Sequence, residues 1–220
     1  MKIAIISDFH IGHERFYDDA YRQAEEALEK AASLADILVI PGDIFDMRNP
    51  KPEVLAQAIN LFRNLSRKKW EAKVVSYSGG RRIFTDIPII AIPGTHERKA
   101  KDVEDPVQLL SLAGLLVNVS DASVEIVKGG ERVGVFALGG LAEEKVRDAL
   151  AEWNPTPIEG AFNLFMFHQS IFELLPFSKD YLHFNELPKG FDLYVDGHIH
   201  TRYEARVHNK PFLIPGSTVL

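Results

Sequence analysis

The chain has 220 residues, of which 46% are hydrophobic and 25% are charged, a balance typical of a globular protein with a substantial core. Its formal net charge of -6 argues against broad, unspecific affinity for nucleic acids, although a local basic face or a bound dication would offset part of that charge. The absence of cysteine excludes disulfides, thiolate metal sites and cysteine nucleophiles.

The first half of the chain alternates predicted strands and helices. The apolar runs "KIAII", "ILVI" and "IPIIAI" predict buried strands. Helical spacing of apolar residues predicts helices in "DDAYRQAEEALEKAASLA", "PEVLAQAINLFRNLSRKKW" and "EDPVQLLSLAG". This βαβα order predicts a mainly parallel sheet with right-handed crossovers.

The second half changes character. "ASVEIV" and "RVGVFAL" flank "KGGE" and predict a hairpin, "AEEKVRDALAEW" predicts a helix, and "FNLFMF", "DLYVD", "YEARV" and "FLI" predict short strands. Together the elements indicate an α/β fold of two packed mixed β-sheets flanked by helices. Since no repeat or linker interrupts the chain, we expect a single domain over residues 1–220.

The start of the chain carries no targeting signal that we can identify. Its apolar run is broken by Asp8 and His10 and is too short and polar for a signal peptide. No run approaches the length of a membrane span. We therefore expect a cytoplasmic protein with no membrane partner.

A locally basic segment stands out in this acidic chain. "SGG" separates two predicted strands, which indicates a hairpin inserted around residues 68–86. One interpretation is a surface that binds the phosphates of a nucleic acid through Lys68, Lys69, Arg81 and Arg82. The alternative is a solvated helix end followed by an ordinary hairpin.

Polar residues follow five of the predicted strands, at the point where each strand ends. Sites in open α/β sheets form beyond the carboxyl ends of the strands, so we expect these side chains to converge. The stretches are "SDFH" (7–10), "GDIFD" (42–46), "GTHE" (94–97), "HQ" (168–169) and "GHIH" (197–200).

Imidazoles and carboxylates without thiolates suit Mn, Fe or Zn better than Ca or Mg. In extended backbone, residues i and i+2 point the same way, so Asp8 and His10 can face one ion, and His198 and His200 can do the same. Each pattern alone is more often ordinary surface polarity, and His168 alone would be a core histidine. The five together predict a metal site.

The series Asp8-x-His10, Gly42-Asp43-x-x-Asp46, Gly94-x-His96, His168 and Gly197-His198-x-His200 resembles the motifs of the calcineurin-like metallophosphoesterases. "FNELPKGFDLYVDGHIHTRYE" and "PFLIPGST" resemble one branch more closely, the archaeal and bacterial double-strand-break repair nucleases of the SbcD type. The resemblance covers nearly the whole chain and implies a four-layer α/β/β/α sandwich that holds two divalent ions. Mn²⁺ is the ion expected, with Fe, Zn or Mg as alternatives.

The resemblance also implies roles for single residues. One ion would take Asp8, His10, Asp43 and His200, and the second would share Asp43 and take His168 and His198. His96 would contact the scissile phosphate and assist the leaving oxygen, Asp46 would hold a ligand or water in place, and Glu97 would orient the His96 ring or cap the following helix.

Two positions depart from the family pattern. Thr95 stands where the family carries an asparagine ligand, and its shorter hydroxyl arm predicts a second ion that is weakly held or completed by water. Asp46 stands where nucleases of this branch often carry histidine.

The leading hypothesis is a Mn-dependent DNA nuclease, exo- or endonucleolytic, in which a hydroxide bound by two metals attacks a phosphodiester. The alternatives are a weakly active or inactive scaffold or DNA-binding subunit, for which Thr95 is the evidence, and a small-molecule phosphodiesterase. The resemblance further implies DNA as partner, an SbcC-type ATPase and a homodimer.

Overall fold

The computed structural model describes residues 1–78, 81–98 and 104–219, with the backbone alone at 77–78 and 81–83. In this part of the chain the helices are α1 (Tyr17–Leu34), α2 (Pro52–Ser66), α3 (Pro106–Leu112) and α4 (Val146–Trp153). The strands are β1 (Ile3–Ile5), β2 (Ile37–Ile40), β3 (Lys73–Ser78), β4 (Arg81–Thr85), β5 (Ile89–Ala91), β6 (Val117–Asn118), β7 (Ala122–Lys128), β8 (Glu131–Leu138), β9 (Phe162–Phe167), β10 (Leu193–Asp196), β11 (Tyr203–Val207) and β12 (Lys210–Ile214).

The first sheet has the parallel topology that the sequence predicts. Its order among the described residues is β1-β2-β5-β6, and every pairing in it is parallel. Ile3 pairs with Ile37 and Leu38 pairs with Ile89, while α1 and α2 form the connections between these strands. The two-residue strand β6 was not predicted, because "VN" is too short to show a period.

The second sheet is mixed and has the order β11-β12-β10-β9-β8-β7-β3-β4 in the described part of the chain. The pairings β8–β9, β9–β10 and β10–β12 are parallel, and the remainder are antiparallel. The basic hairpin is β3 and β4, and β3 pairs with β7 from Lys73↔Val127 to Val75↔Glu125. The hairpin is therefore the edge of this sheet and continues the core.

The sheets pack face to face between two layers of helices and loops. Val39 and Ile90 of the first sheet meet Val135 and Met166 of the second in a core of buried aliphatic side chains. Helices α1 and α2 cover the outer face of the first sheet, and α4 covers that of the second. Each fully buried aliphatic side chain contributes about 1.5–3 kcal/mol. The predicted four-layer α/β/β/α sandwich is confirmed.

Two helices are shorter than predicted. Helix α2 ends at Ser66, and the following turn directs Trp70 into the core, where its indole N–H donates to the Leu65 carbonyl at 3.2 Å. The stretch Glu143–Lys145 forms a 3₁₀ turn before α4 begins at Val146. In both places tertiary packing overrides the helical spacing of the sequence.

Helix α1 shows how the first sheet is covered. Its buried residues Ala20, Ala24, Leu28 and Ala31 recur every three or four positions and form one apolar stripe. None of the helices in the described residues is long and apolar enough to span a membrane.

Candidate metal centre

The carboxyl ends of β1, β2, β5, β9 and β10 meet at one place between the two sheets. The Gly140 N–H after β8 donates to the Pro93 carbonyl after β5 at 2.8 Å, which joins the edges of the two sheets. Three overlapping groups of acidic and imidazole side chains lie there, with donor atoms within 4.8 Å of one another in each group. The groups are Asp8-His10-His200, Asp8-Asp43-His168 and His10-Asp46-His96.

The first group joins the ends of β1 and β10. His10 Nε2 and His200 Nε2 are 3.0 Å apart, and His200 Nε2 lies 3.9 Å from Asp8 Oδ1. Asp8 and His10 are buried, whereas 54% of the His200 side chain is exposed. This group is therefore open to solvent on one side only.

The second group is fully enclosed and joins the ends of β1, β2 and β9. His168 Nε2 lies 3.2 Å from Asp43 Oδ2, and neither side chain is exposed by more than 2%. The other ring nitrogen of His168, Nδ1, donates to the Pro41 carbonyl at 2.7 Å. That hydrogen bond fixes the ring and directs Nε2 toward the carboxylates.

These residues fit divalent cations. A neutral His168 that donates from Nδ1 presents a lone pair at Nε2 to the Asp43 carboxylate, and His10 and His200 likewise face each other through ring nitrogens. Facing acceptors require a proton or a cation between them. The buried atom Asp8 Oδ2 has no hydrogen-bond partner among the described residues, as expected where a metal ion belongs.

The protonation of the Asp43–His168 pair shows the same demand for positive charge. Burial by itself lowers the pKa of His168, but the adjacent Asp43 carboxylate outweighs it and raises that pKa to about 10. Burial likewise raises the pKa of Asp43, but the attraction of His168 outweighs burial and holds this pKa well below its usual range. A bound dication would replace the proton that the pair otherwise shares.

Two other histidines are neutral at pH 7. Burial lowers the pKa of His10 and of His198 to about 4. A neutral imidazole has a free lone pair, which is the form that binds metals.

The backbone of the predicted ligands is strained. Asp8, His10, Asp43 and His198 have φ of 56°, 47°, 50° and 67°, in the left-handed region that residues other than glycine rarely adopt. The extended backbone that we assumed for Asp8-x-His10 and His198-x-His200 is therefore wrong. Asp8 and His10 still face one group, but His200 joins them while His198 points elsewhere.

Gly42 allows these loops to pack closely. A Cβ at this position would lie 2.3 Å from His168 Nδ1, and the residue has a φ of +97°. The position therefore requires glycine for two reasons, the close approach of the His168 ring and the left-handed backbone.

The third group lies on the open side of the centre. His96 Nδ1 is 2.8 Å from the carbonyl oxygen of Asp46 and 3.7 Å from its Oδ1, and the same Oδ1 lies 3.2 Å from His10 Nδ1. The His96 side chain is 45% exposed. His13 and Phe16 line a cavity of about 230 Å³ beside these residues.

Thr95 and His198 lie next to the enclosed group. The Thr95 hydroxyl is 3.5 Å from Asp43 Oδ2 and 3.5 Å from His198 Nδ1, longer than an ordinary O–H···O or O–H···N hydrogen bond. The His198 ring is 5.3 Å from the His168 ring, and its Nε2 is 3.0 Å from the Ser170 hydroxyl. Thr95 thus stands between Asp43 and His198, at a position where the family resemblance implies a metal ligand.

Glu97 does not act as the sequence suggested. It is fully buried, its hydrogen bonds within the described residues go neither to the His96 ring nor to a helix end, and Asp105 is the residue that caps α3. Its Oε1 accepts the Phe45 N–H at 2.7 Å and its Oε2 accepts the Gly94 N–H at 3.0 Å. Glu97 therefore links the loops after β2 and β5.

Ser170 and Ser217 were not predicted to contribute. The Ser217 hydroxyl donates to the Asp8 carbonyl at 2.7 Å, and its N–H donates to the His200 carbonyl at 3.0 Å. "PGST" was recognised only as a family-like stretch, and nothing near Ser170 in the sequence marks it.

The predicted basic surface lies elsewhere. Lys68 and Lys69 line a groove of about 380 Å³ with Lys2 and Asp36, which precede β1 and β2. Six residues of extended chain, about 20 Å, separate Lys2 from Asp8. The structure therefore does not bring these lysines to the metal centre, and the side chains of Arg81 and Arg82 lie outside its described part.

Comparison with known proteins agrees with the motif series. The family model for calcineurin-like phosphoesterases matches residues 1–202. The chain belongs to the calcineurin-like phosphoesterase family. The residues after the strands that resemble metal ligands therefore belong to a family of phosphoesterases that use divalent metals.

Among the relatives within this family are archaeal DNA double-strand break repair proteins named Mre11. The protein from Saccharolobus solfataricus is 26% identical over 214 residues, which cover 92% of this chain and 50% of the relative. The protein from Methanopyrus kandleri is 28% identical over 236 residues, with 99% and 48% covered. The chain spans about half the length of these relatives.

Solved structures of similar fold extend the comparison. The protein TT1561 of Thermus thermophilus superposes with a TM-score of 0.54 at 14% identity, covering 98% of this chain and 89% of that protein. At this identity the likeness concerns the fold alone, and it agrees with the two-sheet architecture of the calcineurin-like phosphoesterases.

Proposed function

We propose that this chain is the catalytic domain of a metal-dependent DNA nuclease of the double-strand-break repair type. One observation carries the proposal. Two groups of acidic and imidazole side chains, Asp8-His10-His200 and Asp8-Asp43-His168, share a carboxylate, and His96 stands beside them on the open side. The names of the relatives, which match over nearly the whole chain, support DNA as the substrate.

The two groups would hold two divalent ions. By the family resemblance, Asp8, His10 and His200 would bind the first, His168 and His198 the second, and Asp43 would be shared. The carboxylate that the two groups have in common in the structure is that of Asp8, which lies beside Asp43. When bound, such ions lower the pKa of water to form a nucleophile and neutralise charge on the phosphate oxygens. The nitrogen and oxygen donors, with no sulfur, agree with Mn²⁺ as the proposed ion.

His96 would act on the leaving oxygen. The carbonyl and the carboxylate of Asp46 both face His96 Nδ1, so both favour a proton on that nitrogen. In its imidazolium form His96 can then donate the proton on Nε2 to the oxygen that leaves the phosphorus, and the ring keeps its proton on Nδ1. Asp46 would fix the ring, the supporting role expected from the sequence.

The exposed side of the centre favours a polymeric substrate. The side chains of His96 and His200 are 45% and 54% exposed, so a long strand can lie across them. A small-molecule phosphodiesterase would be expected to enclose its substrate. The scaffold alternative rests on Thr95 alone, whereas the clustering of the acidic and imidazole side chains supports an enzyme.

The proposal is tested by substrate comparison. Purified protein is titrated with Mn²⁺ and assayed on single-stranded DNA, double-stranded DNA and bis-p-nitrophenyl phosphate. We expect two bound ions and DNA cleavage that Asp43→Asn abolishes. The matched control His208→Asn replaces a histidine whose Nε2 contacts the Leu187 carbonyl and should retain activity.

Metal binding without cleavage of any of the three substrates would support the scaffold, and cleavage of bis-p-nitrophenyl phosphate alone would support a small-molecule enzyme. An SbcC-type ATPase partner and a homodimer remain predictions from the resemblance. Co-purification with the ATPase and the mass of the particle in solution are the measurements that decide them.

A further inference from the structure

Two acidic side chains cross between the loops after β2 and β5. Asp43 belongs to the β2 loop, and its Oδ1 accepts the N–H of His96 in the β5 loop at 2.9 Å. Glu97 belongs to the β5 loop and accepts the N–H of Phe45 in the β2 loop at 2.7 Å. Each loop thus supplies a carboxylate that holds the backbone of the other.

Glu97 also holds its own loop. Its second oxygen, Oε2, accepts the Gly94 N–H at 3.0 Å, which closes the turn that contains Thr95 and His96. The side chain is 0% exposed, so it cannot reach substrate or solvent. Both oxygens accept backbone N–H groups, and Glu97 belongs to none of the candidate metal groups among the described residues. A buried carboxylate is stable only when its oxygens are hydrogen-bonded, so the two backbone N–H groups are needed to hold Glu97 in this position.

The linked loops carry different parts of the site. The β2 loop carries Asp43 and Asp46, and the β5 loop carries Thr95 and His96. The first ion depends otherwise on Asp8, His10 and His200, whose loops Glu97 does not contact in the described structure. A change at Glu97 should therefore act most strongly on the second ion, because Thr95 belongs to that ion alone whereas Asp43 is shared by both.

We propose that Glu97 is a positioning residue that sets the spacing of Thr95 and His96 from Asp43 and Asp46, and thereby the affinity of the second ion. The inference rests on the proposed two-metal function. It assigns Glu97 neither to the ligands nor to the groups that contact substrate.

Glu97→Gln tests this inference. The amide keeps one acceptor oxygen but presents an NH₂ group to the second backbone N–H, so one hydrogen bond is lost and two donors face each other. Mn²⁺ affinities are measured by calorimetry, and spin resonance distinguishes isolated from coupled ions. We expect the second ion to bind at least about tenfold more weakly and the first ion to be much less affected. The metal-free protein should melt a few degrees lower, because a buried donor is left unsatisfied.

Glu173→Gln is the matched control, because Glu173 accepts the Phe184 N–H with both oxygens, far from the loops after β2 and β5. It should leave both affinities unchanged. Glu97→Asp keeps the carboxyl group but shortens the side chain, and should also weaken the second ion selectively. This variant serves if the glutamine variant does not fold.

Unchanged affinities in both Glu97 variants would overturn the inference. Equal weakening of both ions would do so as well, since that pattern marks a purely structural residue. A wild-type chain that binds two ions but cleaves no phosphodiester would refute the proposed function, while the affinities would still decide the role of Glu97. A wild-type chain that binds no Mn²⁺ would overturn both.

Discussion

Thr95 stands at the position where the family pattern has an asparagine, 3.5 Å from both Asp43 Oδ2 and His198 Nδ1. An asparagine side chain reaches farther and offers a carbonyl oxygen, which is a better neutral ligand than a hydroxyl. We expect Thr95→Asn to tighten the second Mn²⁺ by roughly tenfold and to raise turnover at limiting metal.

The measurement is a calorimetric Mn²⁺ titration beside a rate assay, with Thr156→Asn on the exposed surface as the control. Equal affinity in Thr95→Asn and wild type would show that the hydroxyl is not the weak point of the centre.

His96 lies outside the two groups that contain Asp8, and its ring contacts Asp46 and His10. We therefore expect His96→Ala to lose cleavage by a factor of about 10²–10⁴, the range for removal of a general acid, while both ions stay bound. Metal analysis shows whether both ions stay bound, and single-turnover cleavage measures the loss of activity. A variant that loses an ion would place His96 among the ligands.

At the scale of the element, the loops after the strands depend on left-handed backbone and close contacts. Gly42 combines a φ of +97° with a Cβ position 2.3 Å from His168, whereas Gly130 has a φ of +89° and open space around it. Both Gly→Ala changes strain the backbone by about 1–2 kcal/mol. Gly42→Ala should cost a further 1–3 kcal/mol, roughly, through overpacking, and should also weaken metal binding.

Chemical denaturation of the two variants in EDTA, followed by Mn²⁺ titration, checks this difference. Similar losses of stability in Gly42→Ala and Gly130→Ala would show that the His168 ring moves aside without cost.

The elements themselves could largely be predicted from the sequence. Apolar runs and helical spacing located the main strands and helices, and the polar residues directly after the strands indicated where Asp8, Asp43 and His168 converge. The roles of Glu97 and Ser217 could not be predicted. Glu97 accepts the Phe45 N–H from 52 residues away, and Ser217 donates to the Asp8 carbonyl 209 residues away, and no local pattern encodes such contacts.

The conformation of the motifs was also beyond prediction. Alternation in extended strands is a reasonable assumption for Asp-x-His and His-x-His, but the positive φ of His198 turns it away from His200. Strain of this kind is imposed by the surrounding packing, so it is visible only once the sheets are assembled.

At the scale of the whole molecule, the lysine groove and the metal centre lie apart. DNA binding by the lysines and hydrolysis at the centre can therefore be tested separately. Lys68 and Lys69 line the groove at the amino ends of β1 and β2. Replacement of both by Ala should leave the rate on bis-p-nitrophenyl phosphate unchanged. If they bind DNA phosphates, the slope of log affinity against log salt should fall by about 0.9 for each lost contact on duplex DNA.

Binding of DNA at several salt concentrations decides this point. An unchanged slope for the Lys68→Ala, Lys69→Ala double variant would support the solvated helix end that the sequence left as the alternative.

Metal binding should stabilise the entire fold, because the predicted ligands come from strands of both sheets. A ligand present at 100 times its dissociation constant adds about 2.7 kcal/mol per site to the free energy of unfolding. For a chain of this size that corresponds to a rise in melting temperature of roughly 5–10 °C. Thermal unfolding with EDTA and with Mn²⁺ measures the effect, and Asp43→Asn should remove most of it. An Asp43→Asn variant that gains as much as wild type would locate the stabilising ions elsewhere.

Ser217 connects the loop of Asp8 with the loop of His200, yet it lies beyond residue 202, where the family match stops. A gene fragment trimmed to the matched range would lose β11, β12 and the two hydrogen bonds of Ser217. The loops of Asp8 and His200 would then no longer be linked through Ser217. A fragment made for crystallisation or for fusion to another protein should therefore extend past residue 217, even though the family match ends at residue 202.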